Sequence, residues 1–206
     1  MAHLVKPVPH QTVFFVCDIQ SRFRNAIHGF EEMVSMASKM LKFATILEVP
    51  VVFTEQNPKA LGFTVPELSS VPLGQLHLGT IDKTLFSMAT PEVKSILEAR
   101  SIKSIVLFGI EAHVCVLQST LDLLQLGYDV YVLADGVSSC NKEEVPLALA
   151  RMRQAGAQIT TSESLLFQLQ QDSSNPTFKA FSSAIKAEKE TTQSAVQKLL
   201  TLRSAL

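Results

Sequence analysis

The sequence lacks several features that would assign it to other classes of protein. Only three of its 206 residues are cysteine, an odd number at irregular spacing, so we expect a reducing compartment and no disulfide framework. The 18 basic and 19 acidic residues nearly balance and form no basic run, which argues against nucleic acid as a partner. The apolar runs are of strand length, well short of a membrane span, and residues 1–11 contain no apolar stretch typical of a secretory signal. We therefore predict a cytoplasmic protein that contacts no membrane; the sequence leaves nuclear or organellar locations open.

Two further absences concern cofactors. Residues 18–23, which follow the first predicted strand, contain no glycine, so the phosphate-cradling turn of dinucleotide-binding folds is missing. A tetrahedral zinc site needs about three or four ligands. The five histidines, at positions 3, 10, 28, 77 and 113, do not form the pattern of ligands that such a site requires. We therefore predict no cofactor and no metal, with His77 as the one histidine that could support a metal site.

Apolar runs of strand length alternate along the chain with segments of helical periodicity. The strands are predicted at 12–17, 50–54, 80–82, 104–108, 128–134 and 158–161. The helices are predicted at 31–48, 91–100, 116–126, 143–155 and 162–170. Near-continuous apolar strands separated by helices are typical of a parallel sheet covered on both faces. We therefore predict a three-layer α/β/α sandwich with a doubly wound, mainly parallel sheet.

This pattern predicts one domain over residues 1–206, with a core at about 12–178. Residues 57–78 are irregular and rich in proline and glycine, and so long a connection is often functional. Residues 179–206 are predicted to form a helical C-terminal tail. Its apolar positions, which include Leu202, would pack on the body of the domain or on a second subunit.

Residues 106–115 are the most informative segment, because they combine a buried strand, a turn at Gly109 and a cysteine at the start of a helix. A thiol at a helix N-terminus meets unpaired N–H groups and the positive end of the helix dipole, which favour the thiolate nucleophile. Cys115 is therefore the candidate nucleophile. Since free cysteines are often core residues, we expect Cys17, within a strand, to be structural.

Asp18 and Lys83 also follow predicted strands directly. Ligands of open α/β sheets bind beyond the carboxyl ends of the strands, where the strand order reverses. If the order is 3-2-1-4-5-6, Asp18 and Cys115 face one crevice. A cysteine nucleophile needs a base and gains from a nearby cation, roles that Asp18 and Lys83 could fill. Backbone N–H groups of residues 111–115 could then form an oxyanion hole.

Six groups of residues together carry a resemblance to a known family: Cys17-Asp18-Ile19-Gln20, Thr54-Glu55-Gln56-Asn57-Pro58, Lys83-Thr84 with Phe86-Ser87-Met88, Gly109-Ile110-Glu111-Ala112-His113-Val114-Cys115, Arg151-Met152, and Ile159-Thr160-Thr161-Ser162-Glu163. The chain resembles the isochorismatase-like cysteine hydrolases, and among them the animal type 2 isochorismatase-domain proteins. The resemblance extends over residues 12–178, which is most of the chain.

The resemblance implies a catalytic triad of Asp18, Lys83 and Cys115. It also implies a cis peptide bond between Ile110 and Glu111, which would turn backbone N–H groups toward the oxyanion, and a homo-oligomer that is a dimer or larger. A small molecule is the expected substrate. Side chains that we predict to line its pocket are Gln20, Phe23, Gln56, Phe86 and His113.

Two departures from the family pattern narrow the predicted chemistry. Nicotinamidases bind a metal through an Asp-x-His motif after the second strand, whereas residues 55–58 here contain no histidine. Members that cleave isochorismate can act without a cysteine, so Cys115 indicates acyl transfer on an amide or a related carbonyl. The alternative hypothesis is a catalytically silent protein that uses the same scaffold to bind a partner protein.

Overall fold

The computed structural model describes residues 6–200. Its sheet consists of β1 (Thr12–Cys17), β2 (Val51–Gln56), β3 (His77–Lys83), β4 (Ser104–Gly109), β5 (Asp129–Val137) and β6 (Gln158–Thr160). These strands are all parallel and lie in the order β3-β2-β1-β4-β5-β6. The predicted doubly wound sheet is therefore confirmed, and its first and fourth strands are neighbours at the point where the order reverses.

Helices cover both faces of this sheet. They are α1 (Phe30–Leu47), α2 (Pro58–Leu61), α3 (Pro66–Ser69), α4 (Pro91–Ala99), α5 (Leu117–Gln125), α6 (Glu144–Ala155), α7 (Ser162–Gln170), α8 (Phe178–Ala187) and α9 (Lys189–Leu199). Successive β1 residues alternate between the two layers: Phe14 packs with α1 and Phe15 with the side chains of α4 to α6. Among residues 6–200, no helix is long and apolar enough to cross a membrane.

The edge of the sheet differs most from the sequence prediction. β3 begins at His77, three residues before the predicted start, and its side chains are mostly accessible. An edge strand with few buried side chains has no long apolar run, so apolar patterning finds only part of it. The predicted irregular segment 57–78 also contains α2 and α3, each of which begins with a proline in its first turn.

The connection after β4 takes a form that periodicity did not predict. A π-helical turn, Ala112–Val116, precedes α5 and contains Cys115, which we expected at an ordinary helix start. The turn follows Gly109, whose φ is 123°. A Cβ on Gly109 would lie 2.2 Å from the Cys17 carbonyl oxygen, so only glycine allows β4 to approach β1 this closely.

The C-terminal helices pack on the body of the molecule through α1. The Phe181 ring is buried with its centroid 5.1 Å from that of Phe43. Lys39 is buried as well, and its Nζ donates to Ser162 Oγ at 2.6 Å and to Thr192 Oγ1 at 2.9 Å. The last part of the predicted tail, residues 201–206 with Leu202, lies outside the described residues.

Candidate active site

Asp18 lies at the carboxyl end of β1, beyond the last residue that pairs with both β2 and β4. Its φ is 52°, a left-handed conformation that carboxylate side chains tolerate better than most. Only 1% of the residue is exposed. Thr54 Oγ1 donates to Asp18 Oδ1 at 2.7 Å, and Lys83 Nζ donates to Asp18 Oδ2 at 2.7 Å. The carboxylate is thus buried, but both of its oxygens accept hydrogen bonds.

Lys83 is the last residue of β3, and its side chain is fully buried against Asp18. Its Nζ also donates to Gln56 Oε1 at 2.7 Å, and to the carbonyl oxygens of Phe86 at 3.0 Å and Leu85 at 3.2 Å. Burial lowers the pKa of Lys83, but electrostatic interactions with Cys17, Asp18 and Cys115 and the hydrogen bond to Asp18 outweigh it, so the pKa is raised. The ammonium group therefore stays charged at neutral pH.

Cys115 lies in the π-helical turn, interacts electrostatically with Lys83, and is 7% exposed. Its nearest thiol neighbour is Cys17, which also donates to Asp18 Oδ2 at 3.7 Å. Burial raises the pKa of Cys17 well above its usual value, and a hydrogen bond with Cys115 and the charges of Asp18 and Cys115 add to the shift. Cys17 is therefore a protonated thiol that contacts both Asp18 and Cys115.

The backbone around Cys115 offers N–H groups for an anionic oxygen. The Ile110–Glu111 peptide bond is cis. Four neighbouring N–H groups donate to backbone carbonyls: Ile110 to Cys17, Ala112 to Ser138, and Val114 and Val116 to Glu111. Within residues 6–200, the N–H groups of Glu111, His113 and Cys115 donate to no backbone carbonyl outside the π-helical turn. These three are the candidate donors to an oxyanion.

The two glutamines of the predicted pocket hold other parts of the site in place. Gln20 is fully buried, and its Oε1 accepts from the Gln56 N–H at 2.7 Å while its Nε2 donates to the carbonyls of Gln56 and Gly62 at 3.0 and 2.6 Å. Its amide is thus taken up by backbone groups. Gln56 accepts from Lys83 through Oε1 and donates to the Thr84 carbonyl at 3.0 Å, so it positions the lysine.

The three ring side chains of the predicted pocket have different surroundings. Phe23 is half-buried against the apolar layer that contains α1. Phe86 is 49% exposed, and the neighbouring Leu85 is 51% exposed. His113 is half-buried, with Nδ1 2.9 Å from Ser139 Oγ. Phe86 is therefore the most accessible of the three, and both Phe86 and His113 lie on segments that adjoin Lys83 and Cys115 in sequence.

Sequence reasoning missed two residues that contact the carboxylate. Thr54 was included in a strand with no assigned role, although its hydroxyl bonds Asp18 directly. Its place at the predicted end of β2 could have identified it, because neighbouring parallel strands end side by side. Cys17 was expected to be structural; it is buried in the core, but its thiol also contacts Asp18 and Cys115.

Residues that could hold a metal do not cluster. Between residues 6 and 200, no three histidine, cysteine, aspartate or glutamate side chains come together as a metal-binding group. His77, the one histidine kept as a candidate ligand, places its Nε2 3.0 Å from Thr80 Oγ1. That the site works without a metal stays a prediction.

The six-stranded parallel sheet with helices on both faces defines an α/β protein with the fold of the isochorismatase-like hydrolases. The isochorismatase domain matches residues 12–164, and the chain therefore belongs to the isochorismatase family. Isochorismatase domain-containing protein 2 of Xenopus laevis is 50% identical over 169 residues, which cover 82% of this chain and 80% of that protein. The resemblance stated from the motifs is thereby confirmed.

Solved structures share the same architecture. The MAR1 ribonuclease from Caenorhabditis elegans superposes with a TM-score of 0.82 and 40% sequence identity, over 88% of this chain and 93% of that one. The YcaC gene product of Escherichia coli, described as an octameric hydrolase of unknown specificity, has a TM-score of 0.83. The two sequences are 19% identical, and the superposition covers 98% of this chain and 100% of the YcaC chain. Because the identity is so low, this likeness concerns the fold alone.

Proposed function

We propose that this protein is a cysteine hydrolase that cleaves an amide or a related C–N or acyl bond of a small molecule. One observation carries the proposal: a buried ion pair between Asp18 and Lys83, 2.7 Å long, adjoins the nucleophilic candidate Cys115. Burying two charges costs free energy, because both are removed from water. Buried ionisable groups that interact with each other are common at functional sites. The isochorismatase fold, generally that of hydrolases, agrees with this chemistry.

The proposed reaction begins with proton transfer from the Cys115 thiol to the Asp18 carboxylate. The thiolate attacks the substrate carbonyl carbon, and N–H groups among those of Glu111, His113 and Cys115 stabilise the oxyanion that forms. The C–N bond then breaks, and the leaving nitrogen takes the proton from Asp18. Water hydrolyses the resulting thioester on Cys115, with Asp18 again accepting a proton, and restores the thiol.

Lys83 supports this cycle through its charge. The raised pKa of Lys83 keeps the ammonium protonated, so a positive charge stays close to Asp18 and Cys115 throughout the cycle. Gln56 and Thr54 fix the two partners from β2.

The experiment is a panel of small amides and esters assayed with the wild type, Cys115→Ala and Cys140→Ala. Cys140 is exposed and lies outside the Asp18–Lys83 pair, so Cys140→Ala is the matched control. We expect turnover and a trapped acyl adduct, detected by mass spectrometry, in the wild type and the control. Loss of the nucleophile should reduce turnover at least ~100-fold. Undiminished turnover by Cys115→Ala would refute covalent catalysis by this thiol.

RNA cleavage is a second candidate function. It is favoured by the 40% identity to a structure named as a ribonuclease. The net charge of −1 argues against it, because RNA binding relies on basic patches. Incubation of the same three proteins with labelled RNA separates the candidates: RNA cleavage together with silence on the amide and ester panel would replace the hydrolase proposal.

A non-enzymatic role predicts a different outcome. If the protein only binds a partner, neither the amides and esters of the panel nor the RNA are cleaved. In that case, iodoacetamide at neutral pH modifies Cys115 of the wild type no faster than Cys115 of Asp18→Asn. The cysteine hydrolase proposal predicts faster modification in the wild type, since Asp18 accepts the thiol proton.

We also propose that the protein is a cytoplasmic homo-oligomer. Large apolar side chains are accessible on its surface, with Phe63 70% and Leu147 69% exposed, and such groups commonly cover one another between subunits. Its three free thiols suit a reducing compartment. Light scattering after size-exclusion chromatography measures the mass of the assembly, and a constant monomer mass at all concentrations would contradict the homo-oligomer. Imaging of the tagged full chain tests the cytoplasmic location.

A further inference from the structure

Cys17 is a buried thiol that takes no part in the reaction proposed above. It is the last residue of β1, it is fully buried, and it pairs in register with Gly109 of β4. Its backbone carbonyl accepts from the Ile110 N–H at 2.9 Å, and Gly109 packs against the same carbonyl. The end of β1 is thus in close contact with the segment that leads into the π-helical turn, in which Cys115 lies.

The side chain of Cys17 contacts both the candidate nucleophile and the candidate base. Its Sγ donates to Asp18 Oδ2 at 3.7 Å, and a hydrogen bond links its thiol to that of Cys115. Both cysteines belong to the apolar layer that the side chains of α4 to α6 form on one face of the sheet. The two sulfur atoms are therefore neighbours, with the Asp18 carboxylate beside them.

The two thiols differ in what can reach them. Cys115 is 7% exposed, whereas Cys17 is fully buried. A small oxidant therefore meets Cys115 first, and the neighbouring thiol of the oxidised product is Cys17. An accessible cysteine beside a second cysteine that can resolve its sulfenic acid is the arrangement of reversible thiol oxidation.

We propose that Cys115 and Cys17 form a reversible disulfide when hydrogen peroxide oxidises Cys115. In the first step the Cys115 thiolate attacks one peroxide oxygen, and the O–O bond breaks. The leaving hydroxide takes up the proton that the thiol released and becomes water. Cys115 is then a sulfenic acid, so its sulfur is oxidised and the peroxide is reduced. The pair is a modification site that does not depend on the hydrolase proposal.

In the second step the Cys17 sulfur attacks the sulfenic sulfur of Cys115. The S–S bond forms, the S–O bond breaks, and hydroxide leaves. Because burial raises the pKa of Cys17, its thiol needs a base, and Asp18 Oδ2 already accepts from it. Asp18 passes that proton to the leaving hydroxide, so the products are the disulfide and a second water. A dithiol reductant restores both thiols by exchange, which makes the disulfide transient in a reducing compartment.

Cys140 is the third cysteine of the chain and provides the control. It is exposed, and its thiol forms a hydrogen bond with the Glu111 carboxylate, which also accepts from the Cys140 N–H at 2.8 Å. The partner of the Cys140 thiol is thus a carboxylate, whereas the partner of the Cys17 thiol is Cys115 itself. Cys140→Ala should therefore leave disulfide formation unchanged.

The experiment treats the folded full chain with a slight molar excess of hydrogen peroxide. The remaining thiols are blocked after unfolding, and the peptides are mapped by mass spectrometry without reductant. We expect two of the three thiols to be lost, a peptide pair to be linked through Cys17 and Cys115, and dithiothreitol to restore both thiols. Cys140→Ala should give the same linked pair. This readout needs no substrate, so it decides the proposal whether or not the protein hydrolyses amides.

Cys17→Ala removes the thiol that resolves the sulfenic acid. Peroxide should then leave Cys115 as a sulfenic acid, so labelling of Cys115 by dimedone should rise at least ~10-fold over the wild type. Longer exposure should add further oxygen atoms that dithiothreitol does not remove. Equal labelling of the wild type and a folded Cys17→Ala would contradict the role of Cys17. If this variant does not fold, the peptide map of the wild type decides.

Three results of that map would overturn the proposal. The first is a Cys115 oxidised to the sulfinic acid while Cys17 remains a free thiol. The second is a disulfide that links Cys115 to Cys140 or to a second copy of the chain. The third is survival of all three thiols at a peroxide concentration that oxidises free cysteine.

Discussion

Replacement of Lys83 by methionine should strongly destabilise the folded protein. Methionine has a similar length and no charge, so the change isolates the ammonium group. In the structure this group is fully buried and donates to four acceptors, one of them Asp18 Oδ2 at 2.7 Å. Removing one partner of a buried ion pair costs about 3–5 kcal/mol, because the other charge is left buried and unpaired. For a domain of this size, Tm should fall by about 6–20 °C.

Urea unfolding of four proteins measures this effect. They are the wild type, Lys83→Met, Asp18→Asn and the double variant, from which both charges are absent. The double variant should be more stable than the sum of the single effects predicts, by about 0.5–3 kcal/mol, because no unpaired charge remains. Lys103→Met, at an exposed lysine, is the control and should change stability by less than about 0.5 kcal/mol.

Either of two results would refute this reasoning. If Lys83→Met costs less than about 1 kcal/mol, Asp18 is not left with an unpaired buried charge. If the two single effects simply add in the double variant, the residues do not interact, although their atoms are 2.7 Å apart.

Two further predictions concern titrating groups. Burial lowers the pKa of Lys39 below its usual value of 10.5, although the negative charge of Asp135 opposes this shift. Between the lowered pKa and 10.5, the unfolded state binds more protons than the folded state. The free energy of unfolding therefore rises with pH in this range. The stability of the wild type relative to Lys39→Met should therefore increase as the pH rises toward 10.5 in urea titrations at a series of alkaline pH values; a constant difference would contradict this. The raised pKa of Cys17 leaves little thiolate at pH 8, so iodoacetamide should modify it at least ~10-fold more slowly than Cys115, as measured by peptide mapping. Equal rates would show that Cys17 is neither buried nor protonated as described.

The parts of the fold that follow from local rules could be predicted from the sequence. Thr90 and Pro91 mark the start of α4, where the Thr90 hydroxyl accepts from the Val93 N–H at 3.3 Å. The strand order placed Asp18 and the segment leading to Cys115 on adjacent strands, and the sheet has that order. These features depend on near neighbours in sequence or on a general rule of parallel sheets.

The parts that depend on distant side chains could not be predicted. The connection after β2 is held by the Gln20 amide, which donates to the Gly62 carbonyl 42 residues away. The hydroxyl of Thr54 and the carboxylate of Asp18 are 36 residues apart in sequence. No periodicity records such contacts, so sequence reasoning identified the charged residues of the site, expected Gln20 and Gln56 to line the pocket rather than to orient other groups, and missed Thr54.

The contacts of Lys83 also restrict how it can act. An ammonium group has three N–H donors, and here four oxygen acceptors surround it. No N–H is left for a substrate unless one of these bonds breaks, so we infer that Lys83 acts through the charge state of Asp18 and Cys115 and does not bind the carbonyl oxygen itself. In the proposed mechanism that oxygen is then bound by backbone N–H groups of the turn, among those of Glu111, His113 and Cys115. Substitutions at Lys83 and changes in the geometry of the π-helical turn should consequently impair different steps. Substitutions at Lys83 should impair formation of the Cys115 thiolate, whereas changes in the turn should impair the attack of the thiolate on the carbonyl carbon.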